Sequence, residues 1–272
     1  MSAIVLFILM AVYESNQQDP SLDTNAWLEK YDKYRKIIEE NTEITNEDNL
    51  TPEIRLHLIT PRSKLWNAKS RDSPFKDSPF FAFYWAGGQG LTRYILDHPE
   101  IVKGKRVLDL GSGCGATAIA AAKCGAKSVT ANDIDPRACI MIDMNAKVNK
   151  VKLHITPKDL IQQTNLTRWD VVLVSGVWYK YEELTLLVSK LKMAFNNGKS
   201  VYLGDPSGTI KLFANENEFK TVAEYELSEY TFKLIGFKET EVLKLRHYLS
   251  NEEKIVEKYK FLLDGLNMSM FW

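Results

Sequence analysis

Cysteine and histidine are scarce in this sequence of 272 residues. It contains Cys114, Cys124 and Cys139 and four scattered histidines. The cysteines form no Cys-x-x-Cys pair, and no histidine stands at the spacing of a zinc site. An odd cysteine count without such spacing is typical of small buried thiols in a reducing compartment, so we expect no metal site.

The sequence has no net charge, because 35 lysines and arginines balance 35 aspartates and glutamates. Nucleic-acid binding usually shows as a basic excess, which disfavours a nucleic-acid partner. The hydrophobic share of 45% and the charged share of 26% are typical of globular proteins. The length suits one α/β domain with additions at its ends, or a domain and a half.

No apolar run in the sequence is long enough for a stable membrane span. The apolar stretch of residues 1–13 is shorter than the ~20 residues that a transmembrane helix needs. It lacks the cationic start of a secretory signal and the Arg- and Ser-rich pattern of a mitochondrial presequence. A buried segment and an atypical targeting leader both stay open as interpretations.

A glycine-rich turn follows a buried-strand pattern in the middle of the chain. Residues 107–110 read Val-Leu-Asp-Leu, and Gly111, Gly113 and Gly115 follow before the small residues of a helix start. Glycines let the backbone approach a ligand closely, so these three are predicted to bind a nucleotide cofactor. The alternative is a strand-to-helix turn without a ligand.

Asp109 favours S-adenosylmethionine over NAD as that cofactor. The glycines alone also fit the dinucleotide-binding pattern. A carboxylate two residues before the first glycine would repel a pyrophosphate, whereas it attracts the ammonium and sulfonium groups of S-adenosylmethionine. Asp109 is therefore included among the cofactor-binding residues.

Two further acids stand where cofactor contacts are expected. Asp133 follows the second predicted strand 22 residues after Gly111, close to the spacing of ~20 at which an acid meets the ribose. A carboxylate can accept both ribose hydroxyl hydrogens. Asp135 before Pro136 is better placed to cap a helix, and capping alone is the alternative for both acids. Asp159 could accept the adenine amino group or be a simple turn residue.

Alternating strand and helix patterns predict an α/β fold with a mainly parallel, doubly wound sheet. The parallel strands are expected at residues 107–110, 128–132, 151–155, 170–175 and 200–203, and late antiparallel strands at 222–227 and 231–237.

The N-terminal half has three further features. Asp23-Thr24-Asn25 precedes a helix with an apolar face, and Thr51-Pro52-Glu53 predicts another helix start. Residues 80–89 place five aromatics before an expected Gly-Gly turn, with a short helix over 91–97. The aromatics either pack onto the core or form a lid or floor for an adenosine group.

Three domain segments are expected. Residues 1–50 form an N-terminal leader and helical extension, and residues 51–240 form the S-adenosylmethionine-dependent domain. Residues 241–272 form a C-terminal amphipathic helix, which starts at the capping box Ser250-Asn251-Glu252-Glu253. That helix is expected to dock on the domain, with a partner surface as the alternative.

Several stretches together resemble one family, the electron transfer flavoprotein beta-subunit lysine methyltransferases. These are seven-strand, Rossmann-like class I methyltransferases related to the ribosomal protein L11 methyltransferase. The resembling stretches include Leu50-Thr51-Pro52-Glu53-Ile54, Tyr84-Trp85-Ala86-Gly87-Gly88-Gln89, residues 107–121, Ala131-Asn132-Asp133-Ile134-Asp135-Pro136 and Gly204-Asp205-Pro206.

The resemblance implies an S-adenosylmethionine-dependent enzyme of the mitochondrial matrix that methylates lysines on the electron transfer flavoprotein beta subunit. A cytoplasmic location is the alternative. It also implies roles for single residues: the three glycines cradle the methionine part, Asp133 holds the ribose, Asp159 lies by the adenine, and Trp85 stands at the rim of the cofactor pocket.

The sequence departs from the family's Asp-x-x-Tyr motif after the fourth strand. Here Gly176-Val177-Trp178-Tyr179 keeps the aromatic end without the acid. A lysine with a pKa of about 10.4 is almost entirely protonated at pH 7 and must lose its proton before it attacks. Tyr179, to orient the amine, and Asp205, to offer negative charge, are the predicted catalytic residues, because both follow strand ends.

Three other functions are alternatives to this one. Gly176 would also fit a protein that binds S-adenosylmethionine, has lost catalysis and serves as an interaction module. A methyltransferase with another protein substrate is a further alternative. A nucleic-acid methyltransferase is disfavoured, because Ser175-Gly176-Val177-Trp178 is not the Asn/Asp-Pro-Pro-aromatic motif of enzymes that methylate nucleic-acid amines.

Overall fold

A computed structural model describes residues 31–66, 73–75, 78–176, 181–206, 208, 210 and 218–246, with the side chains of 181–183 excepted. The apolar leader of residues 1–13, the helix start at Asp23-Thr24-Asn25, Tyr179 and the C-terminal helix beginning at Ser250 lie outside the described residues.

The described strands form a small hairpin and one large sheet. Their bounds are β1 Glu43–Thr45, β2 Leu56–Leu58, β3 Arg106–Leu110, β4 Ser128–Asn132, β5 His154–Thr156, β6 Val171–Ser175, β7 Ser200–Asp205, β8 Phe219–Glu226 and β9 Glu239–Leu245. The hairpin pairs β1 with β2, and the seven-stranded sheet has the order β5-β4-β3-β6-β7-β9-β8. The first five strands of this order, from β5 across to β7, are parallel to one another. Strand β9 is antiparallel to both of its neighbours, β7 and β8. The predicted Rossmann-like, mainly parallel fold is confirmed.

Helices cover both faces of this sheet. Their bounds are α1 Lys33–Asn41, α2 Ala86–Asp97, α3 Ala116–Lys123, α4 Pro136–Val148, α5 Leu160–Gln163, α6 Tyr181–Asn196 and α7 Glu229–Ile235. Val107 of β3 packs in the same layer as Ile119 of α3, whereas the next residue, Leu108, packs in the layer of Leu191 of α6. A strand buried on both faces needs apolar residues without alternation, and β3 has Val107, Leu108 and Leu110, with Asp109 as its one buried charged residue.

The helix start predicted at Thr51-Pro52-Glu53 is wrong. The Ile54 amide donates to the Thr51 carbonyl oxygen at 3.0 Å, which closes a turn, and β2 follows. The Thr51 hydroxyl lies 3.0 Å from the Tyr84 hydroxyl in the core. Pairing of β2 with β1 thus overrides the local capping pattern.

The expected Gly-Gly turn before residue 91 is also wrong, because α2 already begins at Ala86. A Cβ on Gly87 would lie 2.6 Å from the carbonyl oxygen of Gly204 in β7, and a Cβ on Gly90 would lie 2.6 Å from the Thr240 side chain in β9. These glycines therefore allow a helix to pack directly on the sheet.

The late strand expected at residues 231–237 is a helix, α7. The Ser228 hydroxyl accepts the Thr231 amide at 3.0 Å and caps this helix, which ends at Gly236. The last strand is instead β9, which inserts between β7 and β8. The other late strand, expected at 222–227, corresponds to β8.

Two expected domain boundaries fall within hydrogen-bonded structure. Strands β1 and β2 pair with each other across residue 50. Strand β9 runs through residue 240 while paired on both sides. The sheet domain therefore extends at least to Leu245 instead of ending at residue 240. Of the helices in the described ranges, none combines the length and apolar character that crossing a bilayer requires.

Candidate functional site

A cavity of about 670 Å³ lies at the carboxyl ends of β3, β4 and β6. The chain leaves β3 for β4 on one side of the sheet and later returns to β6 on the other side. Such a switch point opens a crevice between the loops, and open α/β sheets bind their ligands there. The volume is in the range of ~300–1,000 Å³ that is usual for small-molecule sites.

The glycine-rich turn after β3 forms one wall of this cavity. Gly111 and Gly113 line it, and a Cβ on Gly113 would meet no atom within 4 Å. With a φ of +54°, Gly113 also adopts a backbone conformation that favours glycine. Gly115 has a different neighbour, since its Cβ would lie 3.3 Å from the Ile142 side chain on α4. It brings the turn close to α4 and is not among the residues that line the cavity.

Asp109 lies behind the turn and is 1% exposed. Its Oδ2 accepts hydrogen bonds from the Ser112 hydroxyl and, at 3.0 Å, from the Ala118 amide. Its Oδ1 is buried and has no hydrogen-bond partner among the described residues. Burial raises the pKa of this carboxyl to about 7. A cation beside the turn would favour the ionised form, as expected for the methionine end of S-adenosylmethionine.

Asp133 lies on the cavity wall directly after β4. Its Oδ2 accepts the Gly113 amide at 2.9 Å, and its Oδ1 accepts the Asp135 amide at 3.0 Å. Burial raises the pKa of the Asp133 carboxyl to about 6. Each carboxylate oxygen has a second acceptor position, so both can still receive a ribose hydroxyl. The structure thus brings Asp133 and Gly113 together on the wall of the cavity, and the ribose contact of Asp133 stays a prediction.

Asp135 and Asp159 both cap helices at the same cavity. Asp135 accepts the Arg137 amide at 2.8 Å at the start of α4, which confirms its predicted capping role. Asp159 accepts the Gln162 amide at 3.0 Å at the start of α5 and also lines the cavity. Asp159 is therefore a turn residue, which is one of its two interpretations, and its position on the cavity wall is compatible with the adenine contact.

Ile134 is a site residue that sequence reasoning missed. It lines the cavity between the two acids, and 68% of it is exposed. An apolar side chain at this place offers a surface for a flat ring. The sequence does contain a signal for this residue. Ile134 stands between two acids just after a strand, a place where the core does not require an apolar side chain.

The five aromatics of residues 80–85 all line the cavity. Phe81 and Tyr84 are buried, whereas Phe80 is 54% exposed. The indole Nε1 of Trp85 donates to the Phe80 carbonyl oxygen at 2.8 Å. The segment therefore packs onto the core and at the same time forms a wall of the cavity, so the two interpretations made from the sequence are not exclusive.

Asp205, predicted as catalytic, does not reach the cavity wall. It is 1% exposed, and its Oδ2 accepts the Ile210 amide at 3.0 Å. It therefore holds the turn after β7, and the prediction of a charge beside the substrate is corrected. Tyr179 lies outside the described residues. Gly176 does line the cavity, has a φ of +73°, and its Cβ would meet no atom within 4 Å.

Taken together, the wall of the cavity suits an elongated ligand that has a cationic end and a flat ring. The acids on the wall follow β4 and β5, Asp109 is buried behind the turn, apolar side chains lie between the acids, and the backbone of Gly113 faces the cavity without a side chain. Among the described residues, no cluster of three or more histidines, cysteines or acids could hold a metal ion.

Comparison with known proteins identifies the family. The sequence model of the ribosomal protein L11 methyltransferase (PrmA) family matches residues 92–192. A rat protein named electron transfer flavoprotein beta subunit lysine methyltransferase is 41% identical over 202 residues, which are 73% of this chain and 78% of the rat protein. The chain belongs to the electron transfer flavoprotein beta subunit lysine methyltransferase family. The predicted family is thus confirmed, and with it the class of S-adenosylmethionine-dependent methyltransferases.

Two further relatives carry the same family name. For the human protein, the match is 41% identical and covers 72% of this chain and 76% of the human protein. For the Caenorhabditis elegans homolog, the match is 34% identical and covers 76% of this chain and 93% of the homolog.

A solved ribosomal protein L11 methylase from Lactobacillus delbrueckii subsp. bulgaricus is also similar to this chain. It is 23% identical, and the match covers 58% of this chain and 77% of the methylase with a TM-score of 0.45.

Proposed function

We propose that this methyltransferase transfers methyl groups from S-adenosylmethionine to lysine side chains of the electron transfer flavoprotein beta subunit, in the mitochondrial matrix. The proposal is carried by one observation: relatives with that name are 41% identical along about three quarters of their own length. The location follows from the proposed substrate, since enzyme and flavoprotein must meet in one compartment.

The residues described above fit the cofactor in a definite arrangement. Gly111 and Gly113 would let the backbone approach the methionine part, with the buried carboxylate of Asp109 behind them. Asp133 would accept the ribose hydroxyls. Asp159 would lie by the adenine amino group, and Ile134 would contact the face of the ring.

Bound S-adenosylmethionine supplies a methyl group on a positively charged sulfur. The chain has to align the lysine amine with that methyl and exclude water, and alignment of this kind can lower a barrier by several kcal/mol. The amine must also lose its proton. Gly176 offers no carboxylate to accept it, so we propose that partial removal of water from around the amine lowers its pKa and that the proton passes to bulk water before the amine is enclosed. Tyr179 stays a prediction as the group that orients the amine.

Mass spectrometry of the flavoprotein beta subunit tests the substrate. The purified full chain is incubated with that subunit and isotopically labelled S-adenosylmethionine, and Asp133→Ala serves as the control variant. We expect labelled methyl groups on lysines with the wild type only. Unlabelled lysines on a correctly folded subunit would contradict the proposed substrate.

Gly176 also favours a second candidate function, that of a cofactor-binding interaction module. Calorimetric titration with S-adenosylmethionine, together with transfer of labelled methyl groups to a mitochondrial extract, separates the two. Tight binding without labelling of any protein would favour the module over the enzyme.

A further inference from the structure

The N-terminus of α2 lies against the strand ends on one side of the cavity. A Cβ on Gly87 would lie 2.6 Å from the Gly204 carbonyl oxygen of β7, and one on Gly88 would lie 3.5 Å from the Ser175 hydroxyl of β6. Trp85 directly precedes this helix and lines the cavity. Trp85 therefore precedes a helix whose first turn packs on β6 and β7, whereas the acids of the cavity follow β4 and β5.

Three aromatic rings meet on this side. The centroid of the Trp85 ring lies 6.2 Å from that of Phe80 and 5.8 Å from that of Phe83. The hydrogen bond from the indole to the Phe80 carbonyl oxygen holds the Trp85 ring in place. All three residues line the cavity, and we call them the aromatic wall.

The charges around the cavity are distributed unevenly. Among the described residues that line it, the carboxylates are Asp133, Asp135 and Asp159, and all of them follow β4 or β5. No described residue with a carboxylate lines the cavity directly beside Ser175 and Gly176. The faces of aromatic rings are the remaining groups there that attract a cation.

We propose that Phe80, Phe83 and Trp85 receive the ammonium group of the methyl-accepting lysine and of its methylated products. This inference rests on the lysine methyltransferase activity proposed above. Aromatic faces attract an ammonium through the ring quadrupole and attract a methylated ammonium equally well. A carboxylate in their place would raise the pKa of the amine, whereas burial among rings lowers it. The aromatic wall thus binds the cation and still allows the proton to leave.

Choline and its neutral isostere 3,3-dimethylbutan-1-ol test cation binding without any methyl transfer. Each is titrated by NMR into the full chain in the presence of excess S-adenosylhomocysteine. We expect choline to bind roughly 2- to 30-fold more tightly than the isostere, as cation–π energies predict. Trp85→Leu should abolish this difference, and Trp85→Phe should keep part of it. Trp66→Leu is the matched control, because Trp66 is 37% exposed and does not line the cavity.

A second measurement separates the aromatic wall from the cofactor site. The family resemblance places Trp85 at the rim of the cofactor pocket, whereas we assign its ring to the acceptor amine. We therefore expect Trp85→Leu to change the Kd values of S-adenosylmethionine and S-adenosylhomocysteine by less than about twofold, while the KM for the protein acceptor rises roughly 10-fold. A selective loss of affinity for S-adenosylmethionine would place the rings against its sulfonium and overturn the proposal. Equal binding of choline and its isostere by the wild type would also overturn it. Absence of methyl transfer by the wild type would instead contradict the proposed function.

Discussion

Asp133 connects the glycine turn to the proposed ribose contact, so one substitution tests both. Its two oxygens accept the amides of Gly113 and Asp135. We expect Asp133→Asn to weaken S-adenosylhomocysteine binding about 10- to 100-fold, because hydrogen bonds to a charged group contribute ~1.5–3 kcal/mol. Isothermal calorimetry gives the Kd. An unchanged Kd would remove Asp133 from the cofactor site.

The same residue predicts a pH dependence. Burial raises the pKa of the Asp133 carboxyl to about 6, and the protonated form has fewer acceptor positions for hydroxyl groups. Cofactor affinity should therefore fall as the pH drops through about 6. Titrations between about pH 5 and pH 8 span that pKa and should show this decrease in the wild type and a smaller one in Asp133→Asn.

Asp109 illustrates how a binding residue can lower the stability of the free protein. Its folded-state pKa of about 7 is higher than the ordinary value of 3.8. The folded state therefore binds a proton more tightly than the unfolded state, and stability should rise as the pH falls from about 7 towards 4. We expect Asp109→Asn to raise the free energy of unfolding at about pH 8 by on the order of 1 kcal/mol, with a smaller gain near pH 5. Urea denaturation at both pH values measures this. A loss of stability at the higher pH would contradict it.

At the scale of elements, α2 and β7 meet through glycines without side chains between them. A Cβ on Gly87 would overlap the backbone of Gly204, whereas a Cβ on Gly88 would make contacts no shorter than 3.5 Å. We expect Gly87→Ala to lower the free energy of unfolding by ~1–3 kcal/mol through overpacking. Gly88→Ala is the matched control in the same helix and should be neutral or stabilising by ~0.5–1 kcal/mol. Equal effects of the two variants in urea denaturation would contradict this packing.

The hairpin β1–β2 is joined to the glycine turn by one buried side chain on α4. Asn145 is fully buried, accepts the His57 amide at 2.7 Å and donates to the Cys114 carbonyl oxygen at 2.8 Å. Asn145→Leu would leave two backbone groups unpaired, so we expect a loss of ~2 kcal/mol or more in stability and weaker cofactor binding. Asn149→Leu, one turn later and less buried, should cost less. Thermal unfolding with and without S-adenosylhomocysteine compares the two variants.

The elements differ in how well the sequence predicts them, for physical reasons. Strands β3, β4 and β6 are predicted to within one residue. The inner residues of β3 and β6 are mostly apolar on both faces, and β4 is bracketed by the glycine that ends α3 and by the turn at Asp133. The start of helix α2 has the local pattern of a turn, because its glycines serve close packing on β7, which is distant in sequence. Helix α7 has a strand-like apolar pattern, and the feature that makes it a helix is the cap formed by Ser228.

Local sequence also predicts some candidate site residues better than others. The glycines, Asp133 and Asp159 can be proposed as cofactor contacts because they follow strand ends in a strand–turn–helix pattern. That Asp205 holds a turn depends on contacts of residues beyond β7, which spacing does not reveal. Which side of the cavity the aromatic segment occupies depends on how α2 packs on β7.

For the whole molecule, cofactor choice is the property that separates this family from NAD-binding proteins. A ligand that binds only the folded state stabilises it by RT ln(1 + [L]/Kd), about 2.7 kcal/mol at 100 times Kd. We therefore expect S-adenosylhomocysteine to raise the Tm of the full chain by several degrees, and NAD at the same concentration to leave it unchanged. Differential scanning fluorimetry measures both shifts. A shift with NAD alone would contradict the cofactor assignment.

The strand order also has a consequence for biosynthesis. A ribosome delivers β8 before β9, yet in the described sheet β8 pairs with β9 alone and reaches β7 only through it. While residues 239–245 are still inside the exit tunnel, β8 has no partner and the edge of β7 lies open to other chains. This half of the sheet can therefore close only after β9 has emerged, later than the cofactor-binding half.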